Sequence, residues 1–266
     1  MERKVYVKSF ARISLRHPDP DYGGMFPVME ARRMSLLMKR ALAVSRQALD
    51  KAGVAVPAAV ITGTGLGCIE NTEKFLRSLA GLSGEPLRPT HFMQSTHNTI
   101  GSLIAIRLKC HGYNATYSHS AVSFESALLD AFLQVRLGLA NPVLVGAFEE
   151  MTPDCAAIGR KAGFTGLEVD GRLSETAVSL VLSGDPAGAL CEVAAVDMGT
   201  PVEDRAGETA RLTRPEYVAL YGDNFCVSAL GACDAVQAVA DGRHRALLLE
   251  NDVPGKSFAS ILFKAI

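Results

Sequence analysis

Residues 114–132, NATYSHSAVSFESALLDAF, contain the transition that decides the fold. Asn114–Ser118 has a β-forming composition and leads directly into a predicted helix. The apolar positions of that helix recur at intervals of three and four: Ala121, Phe124, Ala127, Leu128, Ala131, Phe132 and Val135. A strand that turns sharply into a helix exposes the side chain at the turn, and the helix dipole there favours a thiolate or an oxyanion. The geometry is typical of a nucleophilic site, yet Ala121 occupies the turn.

The composition predicts one compact domain, residues 1–266, because 266 residues that are 48% hydrophobic can bury a large core. The 27 basic and 28 acidic residues nearly cancel, so neither nucleic acid nor a membrane surface is an expected partner. Residues 1–15 lack an apolar core with a cleavage site, and no apolar run approaches the length of a membrane span. We therefore expect a cytoplasmic protein whose partners are proteins or small molecules.

The cysteines and histidines do not predict a metal site or a cofactor. The six cysteines are scattered, without CxxC pairs or histidine partners at zinc spacing, which favours buried thiols. His91, His97 and His111 are spaced by six and fourteen residues and do not share a helical face.

Strands and helices alternate along the chain, which is typical of an α/β fold. Strands are predicted at 4–9, 58–63, 142–148, 176–184, 190–199, 245–251 and 257–265, and helices at 29–53, 68–81 and 227–242. The polar stretch from Thr200 to Glu216 is interpreted as a loop or lid.

Several short motifs have a functional and a structural interpretation. Gly63–Gly67, GTGLG, lacks the third glycine and the lysine of phosphate-binding loops, which favours a tight turn over nucleotide binding. Cys68 is interpreted as a buried thiol rather than a low-pKa one. Glu149–Glu150 could supply a general base or simply be solvated in a loop. Adjacent residues on a strand point to opposite faces, so Ser120 is interpreted as a helix N-cap rather than as the partner of His119.

Seven segments in this order resemble the β-ketoacyl-acyl carrier protein synthases, which are condensing enzymes of the thiolase fold. They are RRMSLLMKRALAVSRQALDKAGV, VITGTGLGCIENTEKFL, STHNTIGSLIAIRLKCHGYN, SAVSFESALLDAFLQVRLGLANPVLVGAFEEMTP, LSETAVSLVLS, ALGACDAVQAV and NDVPGKSFASILFKA. The resemblance implies a layered αβαβα fold with an N-terminal half, 1–185, and a shortened C-terminal half, 186–266.

The resemblance also locates the family's catalytic positions. The family carries its nucleophilic cysteine in T-A-C-x-[ST]-G, and HSAVSF places Ala121 at the cysteine. The family's K-S-x-T-G-H-x-x-G-A segment matches DNFCVSALGA, which places Asp223 at the lysine and Ser228 at the histidine. The histidine of the H-G-T segment has no counterpart between about Gly199 and Tyr221, whereas Glu175 in SETA matches the glutamate of G-E-G-A.

These replacements imply a subunit without ketosynthase chemistry, because an alanine methyl cannot carry an acyl thioester. Family members pair by joining the strand before the nucleophile, and chain length factors are silent copies that shape the acyl tunnel of an active ketosynthase. Those of aromatic polyketide systems usually carry glutamine at the cysteine position; the short chain here looks more like the proteins of aryl polyene and flexirubin clusters.

The expected partner is an active ketosynthase, with an acyl carrier protein delivering the chain. The expected interface and tunnel residues are Phe92, Met93, Gln94, Thr96, Asn98, Ile100, Tyr117, Ser118, His119 and Ser120, with 114–120 as the joined strand.

Three alternatives stay open. The chain could form a homodimer through the same strand. It could be an acyltransferase or hydrolase that uses Ser120, Ser123 or Cys68 with His97 or His119. It could also be a docking module that presents basic residues to an acidic acyl carrier protein: Arg32, Arg33, Lys39 and Arg40.

Overall fold

The computed structural model describes residues 3–81, 84, 86–199 and 209–266. Their strands are β1 (Val5–Ile13), β2 (Ala59–Gly63), β3 (Tyr113–Tyr117), β4 (Val143–Glu149), β5 (Glu168–Val169), β6 (Arg172–Leu173), β7 (Thr176–Ser183), β8 (Cys191–Met198), β9 (Ala210–Thr213), β10 (Ala246–Val253) and β11 (Ser257–Lys264). Their helices are α1 (Val28–Ala31), α2 (Leu36–Lys51), α3 (Ile69–Leu79), α4 (Pro89–Gln94), α5 (Thr99–Leu108), α6 (Ser123–Arg136), α7 (Pro153–Lys161), α8 (Arg214–Tyr221) and α9 (Ser228–Ala240), with a 3-10 turn at Ser120–Val122.

One mixed sheet organises the molecule, in the order β3-β2-β4-β7-β1-β8-β11-β10-β9. β2 pairs in parallel with β3 and β4, whereas β7 runs antiparallel to β4 and to β1. β1 joins the two halves of the sheet through its antiparallel pairing with β8. The strands β3 and β9 therefore lie at the two edges.

Helices cover the sheet in layers around two cores. The central strands β2, β4 and β7 are buried along their whole length, which explains their continuous apolar sequences. α2 and α5 pack on one side and form an outer core. α6 and α9 contact strands from both halves of the sheet and form the larger, inner core. This is the layered α/β architecture that the resemblance implies.

The region from Thr200 to Glu216 differs from the predicted loop where it is described. Ala210–Thr213 pairs in parallel with Leu247–Glu250 as the edge strand β9. α8 follows at once, and its first turn is closed by a capping box between Thr213 and Glu216. The loop prediction is therefore wrong over 210–216. The backbone of 210–213 forms its hydrogen bonds with β10, and residues 214–216 begin α8. The remainder of the prediction, 200–208, lies outside the described residues.

Candidate functional site

The turn between β3 and α6 has a left-handed residue at Ser120, with φ of 52°. Residues Ser120–Val122 form a 3-10 turn ahead of α6, so Ser120 lies too early in the chain to cap that helix. Ser123 ties the turn instead: its Oγ accepts a hydrogen bond from His119 N at 2.9 Å and donates to Ser120 O at 2.7 Å. The N-cap prediction for Ser120 is wrong, and the side chain of Ser120 is exposed.

A cavity of about 620 Å³ lies above this turn. His119, Ser120 and Ala121 line one side. Most of the remaining wall is apolar and includes Leu66, Met151, Ile158, Phe164, Leu167 and Phe225. Its charged lining residues are Arg214, Asp223 and Lys256. The fold thus brings Ala121 and Asp223 to one cavity, whereas Ser228 is fully buried and does not line it.

A buried polar network lies beneath Ala121. Asn251 Nδ2 donates to Ala121 O at 2.7 Å and to Glu125 Oε1 at 2.8 Å. Arg214 donates to Asn251 Oδ1 at 2.6 Å and forms an ion pair with Asp223. Sequence reasoning missed Glu125, Asn251 and Arg214. Glu125 carried a signal, because it follows Ala121 by four residues and so lies on the apolar face of the helix.

Burial has the largest effect on the pKa values of the two carboxyl groups in this network, Glu125 and Asp223. It raises the pKa of Glu125, against the opposing effect of Ser228 and Asn251. The Ser228 hydroxyl faces that carboxyl without a hydrogen bond of regular geometry. Burial also raises the pKa of Asp223, although Arg214 and Lys256 pull it down. At the position that the resemblance assigns to the family's lysine, the chain thus carries a carboxyl paired with an arginine.

The described residues of the cavity do not form a nucleophile–base pair. His119 Nδ1 lies 2.9 Å from Ser126 Oγ, so the imidazole is bound within α6 and not to Ser120. Ser123 is fully buried, and its hydroxyl is used in the turn. The arrangement can hold an apolar chain with a polar end, but it lacks the groups that would activate Ser120.

The glycine-rich turn after β2 binds the chain's own carboxylates. Gly65 N and Leu66 N donate to Glu149 at 2.5 and 2.9 Å, and Glu70 N donates to Glu150 at 3.0 Å. Burial raises the pKa of both glutamates to about 7. Their interpretation as solvated loop residues is wrong, because Glu149 is 0% and Glu150 7% exposed.

Close packing explains two of the glycines in this turn. A Cβ on Gly63 would lie 2.5 Å from Ser123 O, and one on Gly65 would lie 2.4 Å from Phe225 Cβ. Cys68 follows as the N-cap residue of α3 and is fully buried. Burial raises its thiol pKa, followed by the nearby charge of Glu150. The interpretation of Cys68 as a buried thiol is confirmed.

We expect a thiol-directed reagent to modify at most one cysteine of the native protein. Cys155 is the partly exposed cysteine, and the other five are buried. Burial raises the pKa of Cys155 as well as those of Cys68, Cys191 and Cys233, so Cys155 is distinguished by its accessibility to the reagent. Quantitative labelling at pH 8 should report one fast thiol and all six after denaturation. Fast native labelling of Cys68 that Cys68→Ala removes, while Cys155→Ala does not, would contradict this.

Glu175 belongs to a partly buried ion cluster rather than to the cavity. Arg40 Nη1 lies 2.6 Å from Glu175 Oε2, and Arg40 also donates to both carboxylate oxygens of Asp19 at 2.7 Å. Arg40 is only 7% exposed. The prediction that Arg40 belongs to a basic docking face is wrong, because its guanidinium is paired with the carboxylates of Asp19 and Glu175. Of the other residues in that prediction, Arg32 and Arg33 are exposed and Lys39 is half-buried.

The predicted interface residues lie mostly at the surface near the β3 edge. Phe92 and Met93 are 58% and 71% exposed. Thr96, Asn98, Ser118, His119 and Ser120 are exposed, and Gln94 and Tyr117 are half-buried. Ile100 is 3% exposed and packs in the outer core, so its prediction as a partner-facing residue is wrong. In the described part of the chain, β3 is paired on one side only.

The described residues contain no group of three or more histidine, cysteine, aspartate or glutamate side chains that could hold a metal ion. None of their helices combines the length and apolar character needed to span a membrane.

The sequence model for the N-terminal domain of beta-ketoacyl synthases matches residues 13–199. The chain therefore belongs to the β-ketoacyl synthase family. None of the curated proteins compared with this sequence matches it.

Solved ketosynthase structures share the whole fold at low sequence identity. The complex AntDE:AntF, described as a type II polyketide synthase acyl carrier protein with its ketosynthase bound to the hexaketide, matches with a TM-score of 0.79, 13% identity and 100% of both chains. The ishigamide ketosynthase/chain length factor matches with a TM-score of 0.77, 16% identity and 100% of both chains. The ketosynthase ApeO in complex with its chain length factor ApeC, from Xenorhabdus doucetiae, matches with a TM-score of 0.75 and 11% identity, over 99% of this chain and 98% of that one. These matches establish a thiolase-like ketosynthase fold.

Proposed function

We propose that this chain is a catalytically silent subunit of the chain-length-factor type, which pairs with an active ketosynthase and shapes the tunnel that receives the growing acyl chain. The observation that carries the proposal is Ala121, which stands at the head of a cavity on the strand-to-helix turn. A methyl group there cannot form the acyl thioester.

The surroundings of Ala121 support a silent role. Decarboxylative condensation needs groups that polarise the malonyl carboxylate and thioester, and Asp223 and Ser228 occupy two of the matching positions. Asp223 is paired with Arg214, and Ser228 is buried beside Glu125. Asn251 engages the carbonyl of Ala121 and stabilises the turn without a reactive group.

The edge strand β3 and helix α4 are the proposed partner surface. An exposed edge strand pairs readily with a strand of another chain, through main-chain hydrogen bonds. Large exposed apolar side chains on α4, such as Phe92 and Met93, are typical of protein interfaces. We further propose that an acyl carrier protein delivers the chain to the paired subunits, and that the pathway makes an aryl polyene or a related polyketide.

Co-expression with the active ketosynthase of the same biosynthetic system tests the proposal. Native mass spectrometry should show a one-to-one complex, and that complex should condense malonyl units loaded on the carrier protein, whereas this chain alone should not. A stable homodimer that forms no complex with the ketosynthase would overturn the proposal. Labelling of such a homodimer by a serine-directed probe, abolished by Ser120→Ala, would instead support the altered enzyme.

The interface can be tested by introducing a charge at its exposed apolar residue. We expect Met93→Glu to weaken pairing with the ketosynthase at least tenfold, because an unpaired carboxylate would be buried in the complex. Met93 is 71% exposed in this chain, so folding should be unaffected. The matched control is Leu139→Glu, at a residue that is 69% exposed and lies between α6 and β4. Equal affinity of the two variants, measured by sedimentation velocity, would exclude α4 from the interface.

A further inference from the structure

We propose that a second cavity, between the start of α2 and the helices α3 and α4, binds a small organic phosphate. The cavity has a volume of about 680 Å³ and shares no lining residue with the one above Ala121. Its lining residues are Arg32, Arg33, Met34, Ser35, Leu36, Glu70, Asn71, Lys74, Arg88, Thr90, His91 and Gln94. Its α4 wall also belongs to the proposed partner surface, so binding is tested on the chain without a ketosynthase.

Positive charge is concentrated in this cavity. Four of the described lining residues are arginine or lysine, and Glu70 is the one carboxylate among them. Glu70 is already paired with Lys74 at 2.5 Å, one turn along α3. Arg32 and Arg33 are exposed, and neither guanidinium forms an ion pair within the described residues. Two adjacent guanidinium groups on one concave surface can bind phosphate oxygens bidentately.

An unsatisfied donor lies at the wall of the cavity. Asn71 is 4% exposed, and its Nδ2 has no hydrogen-bond acceptor among the described residues. Buried amide groups are normally paired, because an unpaired one loses its hydrogen bond with water and gains none in the protein. His91 presents a second buried atom without a partner, Nδ1. An anion bound at this wall would bring an acceptor close to the Asn71 side chain.

The wall chemistry selects the class of ligand. Met34 and Leu36 are the apolar residues among the described lining, so an acyl chain would find little apolar surface. The Thr90 hydroxyl and the Gln94 side chain line the cavity as well, and they suit a ligand with hydroxyl or amide groups. The cavity is also larger than one phosphate ion requires. A phosphate ester of a small polar molecule fits the charge, the polarity and the volume together.

Isothermal titration at low ionic strength tests the proposal, with pyrophosphate and ribose 5-phosphate as probes and succinate as the carboxylate comparison. The purified full chain should bind both phosphates saturably and succinate at least tenfold more weakly. The double variant Arg32→Gln/Arg33→Gln should lose roughly tenfold or more in phosphate affinity, because charge-assisted hydrogen bonds are lost. Asn71→Asp should do the same by repelling the anion.

Arg243→Gln is the matched control, since Arg243 is an exposed arginine that does not line the cavity. It should leave phosphate affinity unchanged, and thermal melting should confirm that every variant is folded. The absence of saturable binding, equal binding of succinate, or equal affinity of all variants would each overturn the proposal.

Discussion

Replacing Arg40 with methionine is expected to lower the free energy of unfolding by about 3–5 kcal/mol, the cost of breaking a buried ion pair from one side. Arg40 is 7% exposed and is held by Asp19 and Glu175. Burial opposes its charge, but the hydrogen bonds with Asp19 and the charge of Glu175 raise its pKa above the ordinary value. Methionine would leave both carboxylates facing each other near Glu150. Urea denaturation followed by circular dichroism measures the change.

The matched control is Arg46→Met on the same helix. Arg46 is exposed and pairs with Asp50 one turn away, so its loss should cost less than about 1 kcal/mol. A double variant, Arg40→Met/Glu175→Gln, should recover part of the stability, because it removes one of the carboxylates left unpaired. If Arg40→Met and Arg46→Met have the same free energy of unfolding, the ion cluster of Arg40, Asp19 and Glu175 does not stabilise the fold.

The second expected result is that the protein becomes more stable as the pH falls from 8 to 6. The folded-state pKa of Glu149 and of Glu150 is raised from 4.5 to about 7, chiefly by burial. The folded chain therefore binds more protons than the unfolded chain between these two values, and its stability falls as the pH rises through that window. Each of the two carboxyl groups should add about 1 kcal/mol to the free energy of unfolding when the pH falls from 8 to 6.

Glu149→Gln isolates this effect. The variant cannot titrate at that position, so its gain in stability from pH 8 to pH 6 should be smaller than that of the parent by about 1 kcal/mol. His17, whose pKa burial lowers from 6.5, opposes the trend at the acidic end, but it is common to both proteins. Glu168→Gln, at an exposed residue, is the control and should keep the parental pH dependence. Parallel curves for Glu149→Gln and the parent would show that Glu149 is ionised throughout.

Local patterns were sufficient for the longest helices, for most strands of the main sheet and for the family. The helical periodicity of α6 and the continuous apolar run of β4 are properties of neighbouring residues, so both elements were predicted close to their observed bounds. The predicted replacement of the family's cysteine by Ala121 likewise depends on a single position within a short motif. The edge strand β9 was missed because its pairing partner β10 begins 33 residues after β9 ends.

The sequence by itself determined the α/β alternation and the family, and it predicted the loss of the nucleophile, because each depends on residues close together in the chain. Only the tertiary structure decided that Glu149 binds Gly65, 84 residues away, that Arg40 turns inward to Glu175, and that Asn251 supports Ala121. The physical reason is that a buried polar group takes its partner from whichever segment the fold brings near. Local periodicity predicts that such a residue is buried, but it carries no information about that partner.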